Sequence, residues 1–173
     1  YSGTAVAVAG DVNGDGFDDV IVGAPYGSKG GEYSGQAYVI YGGTGAKTVN
    51  LGDLSPDQGF LLQGDAAGDL TGWSIDSAGD VNGDGFDDLI IGAPYGSRGA
   101  DYAGQAYLIF GGTGLSDIDL TSLADSQGLI IEGGLTGGYA GFSVSAAGDI
   151  NGDGFAGLLV GSPTGSGTEG EAY

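Results

Sequence analysis

A nine-residue sequence, Asp-Val-Asn-Gly-Asp-Gly-Phe-Asp-Asp, occupies positions 11–19 and recurs at positions 80–88, and an altered third copy begins at Asp149. The copies start 69 residues apart in both cases. Self-similarity at a fixed spacing is typical of repeat architectures, in which each unit packs on its neighbours. The sequence therefore predicts three units, at 1–69, 70–138 and 139–173, of which the third is truncated.

Oxygen-bearing residues alternate along each copy, so that their side chains can turn toward one centre. Gly at the fourth and sixth positions allows the sharp bending that such a loop needs. The chain has no His and no Cys. Carboxylates, an amide and a carbonyl favour Ca²⁺ over zinc or copper, and over Mg²⁺, which prefers strict octahedral geometry with bound waters. The predicted ligands, with Phe contributing its main-chain carbonyl, are Asp11, Asn13, Asp15, Phe17 and Asp19 in the first copy, Asp80, Asn82, Asp84, Phe86 and Asp88 in the second, and Asp149, Asn151 and Asp153 in the third.

The loop differs from an EF-hand at its twelfth position, where Val22 and Ile91 replace the bidentate Glu of that motif. A simple tight turn is the other alternative, because Asp, Asn and Gly commonly form turns. Two intact copies with the same alternation favour cation binding. The third copy continues into Ala156 and Gly157, so it lacks the carboxylates of the eighth and ninth positions. We expect two calcium sites and a weak or empty third site.

Short apolar runs between Gly-rich turns predict strands rather than disorder, although the chain contains 41 Gly. Four strands per unit and no convincing helix indicate an all-β chain of β-propeller-type blades, each with four antiparallel strands, in an incomplete ring. In the first two units, the connection before the fourth strand is predicted to hold a short turn of 3₁₀ or α type, near Leu51 and Leu54 and near Leu120 and Leu123. The predicted strands lie near Thr4–Ala9, Asp19–Val22, Gln36–Tyr41, Phe60–Gln63, Trp73–Ala78, Asp88–Ile91, Gln105–Phe110 and Leu129–Glu132.

The chain is strongly acidic, with 23 Asp and Glu against 3 Lys and Arg and a formal charge of −20. Such a surface repels phosphate backbones, so we expect no nucleic-acid partner. We also expect no direct membrane insertion, because no run of about 18 apolar residues is present. Without His or Cys, and with the paired carboxylates assigned to cation loops, the sequence favours a protein that is not an enzyme.

A second repeated segment, at 27–33 and 96–102, places Lys29 and Arg98 at equivalent positions and ends each time in a Tyr. One interpretation is a contact surface for an acidic ligand, a glycan or a neighbouring module. The alternative, which we favour, is a local ion pair with Glu32 or Asp101 and packing of the Tyr on the next blade.

Further motifs give the chain a family resemblance. Gly-aromatic-Ser occurs at 72–74 and 141–143, Gly-Ala-Pro at 23–25 and 92–94, and the variant Gly-Ser-Pro at 161–163. The chain resembles the FG-GAP repeats that build the seven-bladed propeller of integrin α subunits and that also occur in bacterial surface proteins. The first unit departs from the pattern, with Gly3-Thr4-Ala5 in place of the aromatic. The resemblance implies Ca²⁺ in the Asp-rich loops and an extracellular or cell-surface location in a bacterium.

We therefore expect a non-catalytic, calcium-binding, integrin-like module with a role in extracellular adhesion or structure, binding a protein or glycan ligand. The alternative is a self-assembling extracellular filament subunit, because two and a half blades leave open strand edges that further copies could pair with. An accessory module of a hydrolase or lyase is a third reading, since such repeats accompany catalytic domains in some phospholipases.

Overall fold

The computed structural model describes residues 2–45, 48–164 and 170–173. These residues form twelve strands and one short 3₁₀ helix, Leu120–Ser122, so the chain is all-β as predicted. The strands are β1 Ala5–Gly10, β2 Asp19–Gly23, β3 Gln36–Ile40, β4 Gly59–Gln63, β5 Ser74–Gly79, β6 Asp88–Ala93, β7 Gln105–Ile109, β8 Ile118–Asp119, β9 Gly128–Glu132, β10 Ser143–Gly148, β11 Gly157–Ser162 and β12 Glu171–Ala172.

Three sheets correspond to the three units, and each is a blade of a partial propeller. The first has the order β1-β2-β3-β4-β8, the second β5-β6-β7-β9 and the third β10-β11-β12. Neighbouring strands of the four-strand pattern are antiparallel. The short β8 is the exception, because it belongs to the second unit but pairs in parallel with β4 of the first. A strand from the second unit therefore extends the first blade, which the sequence did not predict.

The first two strands of every blade share one register and one irregularity. The ladder shifts between Val8 and Gly10 in the first blade, between Ser77 and Gly79 in the second, and between Ala146 and Gly148 in the third. Each shift lies directly before an Asp-rich loop, where a bulge re-aims the chain out of the sheet. The three loops consequently leave their blades in the same way.

The blades pack face to face around a shared apolar core. One cluster joins Ile21 and Val39 of the first blade to Leu89, Ile91 and Tyr107 of the second. β6 of the middle blade is buried along its whole length, because it is covered on both faces. By contrast, Val6 and Val8 of β1 are 67% and 62% exposed on the outer side of the first blade. The inner strand β5 contacts both β1 and β10.

Candidate metal centre in the Asp-rich loops

The first Asp-rich loop folds around the carboxylate of Asp11. One oxygen, Oδ1, accepts the main-chain N–H groups of Gly14 at 2.8 Å and Asp15 at 3.0 Å, and Oδ2 accepts the N–H of Gly16 at 2.9 Å. Asp15 in turn accepts the N–H of Phe17 at 3.0 Å. Gly14 and Gly16 have φ of +78° and +88°, a region that residues with a Cβ enter only at a cost. The alternating polar residues thus organise the loop before any ion is considered.

The second and third loops repeat this geometry. Asp80 accepts the N–H of Gly83 at 2.7 Å and of Gly85 at 2.9 Å. Asp149 accepts the N–H of Gly152 at 2.7 Å and of Gly154 at 3.0 Å. The third loop therefore keeps the turn although it lacks the last two carboxylates. The sequence can therefore form the turn without the full set of oxygen donors.

The carboxylate of the ninth position anchors the loop to the blade. Asp19 is fully buried, and its oxygens accept the N–H groups of Val12 at 3.0 Å and Gly42 at 2.8 Å. Asp88 repeats both bonds, with Val81 at 3.0 Å and Gly111 at 2.8 Å. The sequence predicted these residues only as ligands and missed this anchoring role. At this position the third unit has Gly157, which has no side chain to make either bond.

The buried carboxyls of the ninth position, Asp19 and Asp88, lie near other negative charges of their loops. Burial raises the pKa of the Asp19 carboxyl, the two N–H donors oppose that rise, and the negative charges of Asp15 and Asp11 add to it. Burial likewise raises the pKa of Asp88, with added contributions from Asp84 and Asp80. The three carboxylates of each complete loop are therefore within electrostatic range of one another. A cation among them would relieve their repulsion.

The donor chemistry of the first two loops fits calcium. Within 2–45, 48–164 and 170–173, no group of three or more acidic side chains is close enough, as arranged, to hold a metal ion. The carboxylate oxygens instead face the N–H groups of their own loop. Asp11 Oδ1 accepts two N–H groups, but Asp11 Oδ2 and both oxygens of Asp19 accept one each and keep a lone pair for an ion. Every predicted donor is an oxygen. The residues that would hold the ion are Asp11, Asn13, Asp15, Phe17 and Asp19, and their second-unit equivalents.

A separate cleft of about 770 Å³ lies where the second unit meets the first. Arg98 makes an ion pair with Asp65 of the preceding unit, so Asp101, the partner that the sequence suggested, is not the one observed. Asp69 is buried beside this pair, and burial raises its pKa to about 6, against a lowering by the N–H of Ala66. This junction cleft is lined by Asp65, Asp69, Tyr95, Ser97, Arg98, Asp101 and Tyr102, among others.

Aromatic rings cover the edge of the junction cleft. Tyr95 contacts Tyr102 and Tyr139 with ring centroids 6.4 Å and 5.3 Å apart, and Tyr102 is 56% exposed. Four large residues in this region of the two junctions, Tyr33, Leu70, Tyr102 and Tyr139, have φ between +51° and +57°. Such backbone is costly for large residues and often marks functional surfaces. The predicted packing of Tyr on the next unit is observed for Tyr102, whose ring centroid lies 6.4 Å from that of Tyr139, whereas the ring of Tyr33 contacts Tyr26 of its own unit.

Comparison with known proteins agrees with the fold. The family model of the FG-GAP repeat matches residues 2–40, 71–109 and 140–173. The chain is 34% identical over 162 residues to integrin alpha-3 of Cricetulus griseus and 34% identical over 167 residues to integrin alpha-PS5 of Drosophila melanogaster, in each case over 94% of the chain. It is also 35% identical over 156 residues, 88% of the chain, to phosphatidylinositol-glycan-specific phospholipase D of Bos taurus.

The chain corresponds to a small part of these relatives, spanning 14%, 15% and 18% of their respective lengths. Among the described residues, no helix is long and apolar enough to cross a membrane. The three matches of the family model start 69 residues apart, as the Asp-rich loops do, and each covers three strands of one blade and its Asp-rich loop. The chain belongs to the FG-GAP repeat family.

Proposed function

We propose that this chain is a non-catalytic, calcium-binding, integrin-like module, in which the loops at 11–19 and 80–88 each hold one Ca²⁺. The observation that carries the proposal is the convergence of charge in these loops. In each, burial raises the pKa of a carboxyl that is tied to the blade, and the negative charges of two other carboxylates in the loop add to that rise. The loop at 149–157 has the same turn without that third carboxylate, and we assign it a weak site or none.

In this proposal the protein residues have separate roles. The carboxylates of Asp11 and Asp80 hold the turn by accepting main-chain N–H groups of their own loops. Further oxygen ligands come from Asn13, Asp15 and the carbonyl of Phe17, and from their equivalents in the second unit. Asp19 connects the loop to Gly42 after β3, so ordering of the loop is transmitted to the blade. A bound Ca²⁺ supplies the positive charge that neutralises the carboxylates. Binding of the ion to the folded chain alone then stabilises the fold.

The test is thermal unfolding with calcium, with magnesium and with a chelator. We expect millimolar Ca²⁺ to raise the unfolding temperature of the purified chain and millimolar Mg²⁺ to raise it far less. The double variant Asp15→Ala, Asp84→Ala should lose most of the calcium effect, while Asp153→Ala retains it. An unfolding temperature that is the same in calcium and in chelator would refute the proposed function.

We further propose an extracellular or cell-surface location and a protein partner, both favoured by the likeness to integrin alpha subunits. The junction cleft, with its exposed Tyr102 and strained backbone, is the surface we assign to that partner. A glycan partner would use the same rings. Binding screens on protein and glycan arrays, with Tyr102→Ala as the comparison, separate the two, and equal binding by the variant would exclude this surface.

Self-assembly is a second candidate, favoured by exposed apolar side chains on the outer faces of the end blades. These include Val6 and Val8 of β1 and Leu159 of β11. A further copy could cover these side chains, as could further repeats of a longer protein. Sedimentation of the purified chain tests self-assembly. Filaments of many copies sediment as large particles, whereas a chain that needs further repeats of a longer protein sediments as a single copy. A role beside a catalytic domain rests on the phospholipase D relative alone.

A further inference from the structure

The first two Asp-rich loops are in direct contact through the residues at the end of the second loop. Asp87 Oδ2 accepts the N–H of Asp11 at 2.8 Å, and the N–H of Asp87 donates to the carbonyl of Asp11 at 3.2 Å. The ring of Phe86 lies against Gly14. Both main-chain groups of the residue that organises the first loop are therefore bonded to the second loop.

Residues of both units are suited to this contact between the loops. Asp87 fills the space that a side chain on Gly10 would need, so Gly is required there. Further along, the N–H of Gly112 donates to the carbonyl of Val12 at 2.9 Å, which joins the chain after β7 to the same loop. The first loop is consequently held by the second unit at its start and at its middle.

The next junction lacks the polar part of this contact. Phe155 lies against Gly83, as Phe86 lies against Gly14, so the ring contact is conserved between the junctions. Ala156 stands where the first junction has Asp87, and its Cβ is 3.3 Å from the position of a Cβ on Gly79. A methyl group cannot accept the N–H of Asp80. The second junction is therefore a natural comparison for the first, because it has the ring contact without the carboxylate.

We propose that Asp87 is a positioning residue that couples Ca²⁺ uptake by the first two loops, an inference that rests on the proposed calcium function. Asp87 lies between two proposed ligands of the second loop, the Phe86 carbonyl and Asp88, and it holds Asp11 of the first. Ordering of either loop fixes the shared pair of hydrogen bonds, so the second ion meets a loop that is already partly ordered. The coupling is reciprocal: each ion raises the affinity for the other by the same factor.

The charge of Asp87 gives the coupling its strength. A hydrogen bond to a carboxylate is about twice as strong as one between neutral groups. The shared hydrogen bonds therefore favour a state in which the two loops are ordered and occupied together over a state with one ion.

The test follows each loop separately in a calcium titration. The amide signals of Gly16 and Gly85 in nitrogen-proton NMR spectra report the two loops, because these N–H groups donate to Asp11 and Asp80. In the otherwise unaltered chain, Asp84→Ala should abolish uptake by the second loop and weaken uptake by the first about fivefold or more. In an Asp87→Ala background, Asp84→Ala should change the first loop less than about twofold.

Asp18→Ala is the matched control, because Asp18 has the same position in the first unit and is exposed. It should leave the coupling intact. Asp87→Asn retains an oxygen acceptor without the charge, and an intermediate coupling factor separates positioning from a general loss of structure. Coupling that persists in Asp87→Ala overturns the inference and leaves the calcium function standing. No uptake by either loop in the unaltered chain overturns both.

Discussion

The two junctions between units have nearly the same backbone but are held by different polar contacts. At the first junction, Asp87 bonds to Asp11 at the loop end of the blades. At the second, the hydroxyl of Ser145 donates to Asp76 at 2.8 Å between β10 and β5, and that of Ser74 in β5 donates to the carbonyl of Gly141, just before β10, at 2.8 Å. Ala7 and Ala5 stand at the first-unit positions of Asp76 and Ser74 and cannot make these bonds.

The difference shows that position in the repeat does not fix how a unit is held to its neighbour. Where two complete Asp-rich loops meet, the polar contact lies between the loops. Where a complete loop meets the third one, that contact is absent and the strands are bonded instead. Calcium should therefore stabilise the first junction more than the second.

The largest effect is expected from adding a methyl group beside the loops. Gly10, Gly79 and Gly148 are equivalent residues with φ of +77°, +68° and +67°, so Ala is strained at each, at a cost of about 1 kcal/mol or more. Only Gly10 faces Asp87, while Gly148 faces open space. We predict a loss of about 3 kcal/mol in the free energy of unfolding for Gly10→Ala, and smaller losses in the order Gly79, Gly148. Chemical denaturation measures all three, and equal losses would show that the interloop contact contributes nothing.

Removing a ligand should have the next largest effect. In Ca²⁺ at about one hundred times the dissociation constant, one occupied site adds about 2.7 kcal/mol to the free energy of unfolding. Asp15→Ala or Asp84→Ala should lose most of that contribution, and Asp153→Ala almost none of it. Denaturation with and without calcium gives the difference for each variant. A calcium-dependent loss at Asp153 as large as that at Asp15 would remove the distinction between the loops.

The buried carboxyl of Asp69 distinguishes the junctions by its pH dependence, because the equivalent residue of the second junction is Gly138. Its pKa of about 6 in the folded chain lies above the ordinary value of 3.8, so the folded state holds the proton more tightly. Stability should therefore rise as pH falls from 7 through 6 toward 4. Asp69→Asn should reduce that rise by about 1 to 2 kcal/mol.

This measurement uses calcium-free protein at several pH values, so that a change of pH alters proton binding and not calcium binding. The pKa values of Asp19 and Asp88 are also raised, so part of the rise should remain in the variant. Identical pH profiles for the two proteins would mean that Asp69 is not desolvated as the structure indicates.

The smallest effect is expected at the strands of the second junction. Ser145→Ala removes one hydrogen bond to a carboxylate and should lower the free energy of unfolding by about 1 kcal/mol. It should leave calcium affinity unchanged, whereas Asp87→Ala at the first junction should lower it. Calorimetric titration of both variants checks the contrast, which fails if Ser145→Ala weakens calcium binding.

Much of the fold could be predicted because the determining signals are local. Apolar runs bounded by Gly gave the eight predicted strands to within about a residue or two at each end. The 3₁₀ helix at Leu120–Ser122 agrees with one predicted helical turn, whereas near Leu51 and Leu54 the chain makes a turn without a helix. The parallel pairing of β8 with β4 was not predictable. It depends on Leu62 and Ile118 meeting across units, and on Asp117 accepting the N–H of Leu61 at 2.9 Å.

The candidate site was predicted as a set of residues, but its connections were not. Alternation of Asp and Asn indicates which residues can face an ion, because it is a property of one loop. The anchoring of Asp19 to Gly42, the contact of Asp87 with Asp11 and the pairing of Arg98 with Asp65 join residues 23, 76 and 33 positions apart. Such contacts follow from how blades stack, which a repeat spacing does not specify.

The most direct test of the calcium function is the number of ions bound by the purified chain, measured by isothermal titration calorimetry in calcium-free buffer. We predict two Ca²⁺ per chain, with a third bound far more weakly or not at all, and little heat from Mg²⁺ under the same conditions. Three equivalent ions would show that Asp19 and Asp88 are dispensable for binding. The absence of any calcium uptake would mean that the Asp-rich loops serve only as turns.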